Sequence, residues 1–282
     1  MIRVLAIPAV LAALAVSSSA QESIDQELEQ SSNEHMREEL GVNPITTPSI
    51  QQILKDLEVF RPVPMALLEK APLDATFNNR LQTAMHFGSL VADGFLLTVA
   101  ERPKDVQAVG SALIRQARAL GVGERLTKRS KSLLEYSDKG DWLGMRQELV
   151  RTQEDVEQSM MELRDEEMAH MISLGGWLRG FQLGATSTVE SYSASKAAVL
   201  GNQEIVEYFL ERLDTLHPRL RKTEVVTTIV DRLRAIRLIL VETQGEVPTA
   251  EQVAKLRNLA DEAEAAALAR VDDEGRFLKP QS

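Results

Sequence analysis

Two charged residues stand alone in otherwise uncharged stretches of this chain, and any buried chemistry has to begin with them. Arg179 is the only ionisable residue of Met171–Val189 (MISLGGWLRGFQLGATSTV). Asp93 is the only formal charge of Ala84–Ala100 (AMHFGSLVADGFLLTVA), where His86 is the one other titratable group. A guanidinium keeps its proton, so an Arg179 taken out of water must find acceptors. Asp93 is the natural partner. The neighbouring polar residues keep register with both: Gln82, His86, Ser89 and Asp93 are spaced i, i+4, i+7, i+11, and so are Gly175, Arg179, Gln182 and Thr186. On a helix each set is one narrow stripe. Two such seams that meet have a simple structural use, a paired network inside a core. They also have a chemical one: Arg179 would hold a carboxylate or phosphate, Trp177 would supply a stacking face, and Asp93, His86, Gln182 and Tyr192 would fix orientation.

Metal and catalytic chemistry find less to build on. Glu167-Met168-Ala169-His170 has the E-x-x-H spacing that puts a carboxylate and an imidazole on one helix face, as in di-iron bundles. Those sites need a second such pair, and His35, His86 and His217 have no Glu three residues before them. Glu167 and His170 therefore remain a weak metal candidate, and no cofactor is expected. There is no H-E-x-x-H, G-x-S-x-G, P-loop or dinucleotide fingerprint, and with no Cys there is no thiol chemistry.

The elements that must position these residues are helices. Leu, Ala, Glu, Arg and Gln dominate, aromatics are 4%, and no alternating β-branched run bounded by hairpin turns occurs. The fold class expected is all-α: a single multi-helix bundle of about eight to ten helices, with the two nearly uncharged ones at its centre. Gly176, Gly180 and Gly184 recur every fourth residue, a smooth ridge that admits another backbone closely. On the other helix the small-residue line Ala84–Gly88–Ala92 lies about 140° from Asp93, at 100° per residue. Ridge and seam cannot then face one neighbour, so this helix must be covered on two sides. Met171–Val189 is long enough to span a bilayer, but Arg179 at its centre opposes that.

In chain order, the spacing predicts helices over about 49–59, 65–70, 75–101 (capped by Asp74), 103–120, 124–136, 142–168, 168–187, 202–215, 222–243 and 250–271 (capped by Thr249). The LLEYSDKGDW stretch resembles the helix-turn-helix unit of tetratricopeptide repeats, but a single copy has nothing to stack on and reads as an ordinary helical hairpin.

Residues 1–20 read as a secretory signal peptide: Arg3, an apolar run Val4–Val16, then Ser18-Ser19-Ala20 before Gln21. The address expected is periplasmic or secreted, cleaved near Ala20-Gln21, and not an integral membrane protein after cleavage. Without Cys the exported chain has no disulfides. Residues 21–45 are an acidic, bulky-residue-poor leader expected to be disordered, 46–272 the helical domain and 273–282 a flexible tail. A formal charge of −10 leaves no footprint for nucleic acid. The function expected is a non-catalytic exported helical protein with a structural or binding role in the bacterial cell envelope. Its partner would be another envelope protein or a small anionic ligand. The alternatives are a periplasmic binder of an anionic ligand at the polar seam, and a carboxylate/His metal-dependent enzyme.

Overall fold

The computed structural model describes residues 57–278, apart from the side chains of 124–128, 130, 131 and 134. The chain divides into Met1–Thr47 and Pro48–Ser282, and everything described belongs to the second unit. The signal peptide, the acidic leader and most of the helix expected at 49–59 lie outside the described residues.

The described chain is mostly helical, in the order α1 (Met65–Leu68), α2 (Arg80–Val99), α3 (Pro103–Ala119), α4 (Gly123–Lys139), α5 (Trp142–Glu162), α6 (Glu166–Glu190), α7 (Ala194–Leu200), α8 (Gln203–Thr215), α9 (Pro218–Arg221), α10 (Glu224–Glu242) and α11 (Ala250–Leu268). It is the all-α bundle expected; among the described residues the only extended pairing is one antiparallel bridge, Val271 to Phe277. No helix of the described residues is long and apolar enough to cross a membrane.

The two uncharged stretches are the centre. Every residue of α2 from Leu81 to Val99 is buried, polar ones included. α6 packs along α2, and the crossing is made by glycine. A Cβ at Gly88 would stand 1.9 Å from the Ile172 carbonyl oxygen, and one at Gly175 would stand 1.9 Å from that of Met85. Gly176 faces the Gly88 backbone at 3.3 Å, but the other two glycines of the ridge receive side chains instead: Leu57 lies against Gly180 and Phe60 against Gly184. The ridge is thus shared between a helix and the segment that precedes α1. Gly94, on another face of α2, meets Val109 of α3 and Leu149 of α5, so α2 is covered on more than one side. The remaining helices extend the core outward, α10 through Val226, Ile229, Leu233 and Ile236 and α11 through Val253, Leu256, Ala260 and Ala263.

Boundaries differ from expectation where a side chain has a better partner. Asp74 does not cap α2, which starts six residues later at Arg80; its exposed carboxylate pairs with Arg115 at 2.9 Å instead. Asn79 is the cap, its side chain accepting from Gln82 N at 2.8 Å. The long helix expected over 142–168 breaks at Leu163–Asp165, with Arg164 in the left-handed region (φ 54°), and α6 begins at Glu166. The Ser/Thr-rich break after α6 holds a helix that the periodicity misses, α7, capped by Ser193. Thr249 caps α11 with a full capping box to Gln252. Beyond Ala269 the chain makes a small hairpin, with Leu278 N donating to Arg270 O at 2.8 Å and Glu224 N to Gly275 O at 3.0 Å. The segment expected to be a flexible tail from 273 is hydrogen-bonded as far as Leu278.

Candidate functional site

The two seams meet. Arg179 Nε donates to Asp93 Oδ1 at 2.7 Å, with both side chains buried, at 7% and 3% exposure. Arg179 Nη1 donates to Gln182 Oε1 at 2.6 Å, one turn on along α6, and Nη2 to the Leu67 carbonyl of α1 at 3.3 Å. Gln182 passes the network outward, its Nε2 donating to Asp261 Oδ1 of α11 at 2.8 Å. Ridge and seam of α2 both meet the same neighbour, contrary to the expectation from their angular separation: Gly88 lies against Ile172 and Gly176, and Asp93 is bonded by Arg179, all on α6.

Electrostatics fit a charged pair held in a low-dielectric interior. Burial works against the Arg179 charge, but Asp93, Glu264 and Asp261 outweigh it and hold the group above its ordinary value. At Asp93 burial outweighs Arg179, which opposes it by charge and by hydrogen bond, and holds the carboxyl above its ordinary value. Because a guanidinium stays protonated, the 2.7 Å contact is a charge-assisted one.

His86 lies on the same stripe, 1% exposed, with neither ring nitrogen hydrogen-bonded. Its ring meets Phe77 edge to face at 5.4 Å between centroids. Burial lowers its pKa to about 4; the Pro72 carbonyl opposes this and the Arg179 charge adds to it. Gln82 closes the end of the stripe by donating to the carbonyls of Ala267 and Ala269, both at 2.8 Å, which ties α2 to the C-terminus of α11.

Two of the residues expected at the site are elsewhere. Trp177, two positions before Arg179, projects about 200° away around α6 and stacks on Phe181 and on Phe209 of α8, at 5.2 and 5.3 Å. Tyr192 is exposed beyond the end of α6, and its hydroxyl donates to Pro248 O at 2.9 Å. The E-x-x-H pair is also divided. Glu167 accepts from His217 N at 2.6 Å, while His170 Nδ1 lies 3.3 Å from the Tyr208 hydroxyl. Burial, aided by the Arg212 charge, lowers His170 to about 4. Among the described residues no group of three or more His, Cys, Asp or Glu could hold a metal ion.

Three charged residues that sequence reasoning passes over bear on the interior. Asp261 and Glu264 of α11 close the seam's third side. Lys196 of α7 is buried, and its ammonium donates to Ser191 Oγ at 2.7 Å, to Ser187 Oγ at 3.0 Å and to Ser187 O at 3.4 Å, closing the C-terminal end of α6. A signal for Glu264 does exist: it sits among Ala260, Ala263, Ala266 and Ala267, where small side chains allow close helix approach. Compared with protein-family models, with curated proteins and with solved structures, the chain matches none of them.

Proposed function

We propose that this chain is an exported helical protein of the bacterial cell envelope or periplasm, with a structural or binding role rather than a catalytic one. Export rests on residues 1–20, whose basic start, apolar run and small-residue end have the pattern of a secretory signal. The observation that carries the non-catalytic reading is the state of Arg179. Each of its three nitrogens donates to an acceptor within the chain, so three of its five N–H groups are already engaged by the fold. An anionic ligand would have to enter a buried position already holding the Asp93 carboxylate and Gln182, which weakens the ligand-binder alternative. The metal-dependent alternative loses its support with the separate partners of Glu167 and His170.

Two measurements on the full chain test this. Fractionation of expressing cells, with N-terminal sequencing, should recover the protein outside the cytoplasm beginning at Gln21; cytoplasmic, full-length protein would overturn the export reading. Titration with phosphate and with small carboxylates should leave the melting temperature unmoved. A saturable rise that Arg179→Lys abolishes would overturn the structural reading of the seam in favour of the binder.

A further inference from the structure

Of the buried acids, Glu148 is paired with Arg129 and Arg151, whereas Glu264 is hydrogen-bonded to no arginine. Glu264 of α11 is 4% exposed, and its Oε2 has no hydrogen-bond partner. No hydrogen bond joins it to Arg179, whose guanidinium donates to Asp93, Gln182 and the Leu67 carbonyl. Asp93, which shares that guanidinium, adds a like charge close by. The polar neighbour of Glu264 is the Ser89 hydroxyl, whose single proton has the Met85 and Gly175 carbonyls as acceptors, at 3.2 and 3.3 Å. Those carbonyls compete with Glu264 for the one proton that Ser89 can donate. An ionised carboxylate buried with an unbonded oxygen is costly, and its neutral form is far less so.

We propose that Glu264 is a proton-binding site, neutral in the assembled bundle, through which the docking of α11 onto α2 and α6 responds to pH. Burial pushes its pKa up to about 7; Arg179 opposes the rise, Asp93 adds to it, and Ser89 opposes it. Charges on the other elements against α11 are turned elsewhere: Arg232 of α10 pairs with Glu262, and the Lys196 ammonium of α7 is held by Ser187 and Ser191. On α11 itself Asp261 is taken by Gln182, with Arg257 3.9 Å away. His86, on the same stripe of α2, is kept neutral by burial. Raising the pH therefore places a second carboxylate charge beside Asp93, with only one guanidinium between them, and α11 is the element that loosens. The site does not depend on which functional reading holds.

The test compares the full wild-type chain with Glu264→Gln, the neutral isostere, by urea unfolding from about pH 5 to about pH 8.5. The ratio of the two unfolding constants isolates Glu264 from the histidines. It should change by nearly two orders of magnitude over that range, as a shift of this size requires, with wild type losing ground as pH rises. Amide exchange in α11 should quicken with pH in wild type and not in the variant beyond its intrinsic dependence. A ratio that stays constant with pH would overturn the proposal. Wild-type protein carrying 13C-carboxyl glutamate gives a readout that needs no variant. One glutamate titrating near neutrality supports the site, and every glutamate titrating in the ordinary range overturns it.

Discussion

An imidazole buried in an apolar interior is cheapest when neutral, and His86 is driven to that state. The folded protein holds His86 at about 4 against an ordinary 6.5, so between those values the unfolded chain binds more protons. Stability from His86 is therefore complete above pH 6.5 and is lost as pH falls toward 4, to a total of about 3 kcal/mol. His86→Phe should remove that component; acid unfolding with the same midpoint and steepness in wild type and variant would contradict it. Glu264 works in the opposite sense over an overlapping window, which is why the two must be separated by substitution. At this scale the pairing of Asp93 with Arg179 was legible, because each is the lone charge of an apolar stretch and charges leave water in pairs. Glu264 left a weaker trace. In Asp261-Glu262-Ala263-Glu264 three acids stand together, and what sets Glu264 apart in sequence is only its place among Ala260, Ala263, Ala266 and Ala267. Trp177 was misplaced for a related reason. Nearness in sequence put it beside Arg179, while helical geometry turned it to the far face.

The crossing of α2 and α6 stands on backbone contact, which gives the glycines unequal weights. Gly88→Ala and Gly175→Ala each drive a methyl into a facing carbonyl and should cost about 3 kcal/mol or more. Gly176→Ala and Gly180→Ala meet their neighbours at 3.3 Å and should cost much less. Urea unfolding of the four variants checks the order, and equal costs would mean that the helices do not cross here. At the periphery, Thr249→Ala removes both halves of the α11 capping box and should cost about 1 kcal/mol in the same assay. Most elements were readable from apolar periodicity and from Pro and Gly stops. The errors gather at helix ends, where periodicity is silent and hydrogen-bond competition decides. Asp74 lies six residues before α2, and Asn79 caps the helix. Leu163–Asp165 interrupts a run whose periodicity continues on both sides. The four-residue turn α9 and the seven-residue α7 are too short for any period to show.

At the scale of the molecule, one apolar interior is pinned by a few polar groups that nearly satisfy one another. α2 and α6 supply the pair, α1 adds a carbonyl and α11 closes the remaining side. Such a network costs desolvation on assembly, but it fixes which helices meet and in what register. Its removal is therefore informative only when both partners are treated. Asp93→Ala and Arg179→Ala should each destabilise the protein by about 3–5 kcal/mol, since each strands a buried charge. The most direct measurement is the double-mutant cycle of Asp93 and Arg179, read by urea unfolding near neutral pH. Losses that are far from additive, with a coupling of about 2 kcal/mol or more, are what a buried, bonded pair requires. Additive losses, or two variants as stable as wild type, would mean that these groups do not meet inside the bundle.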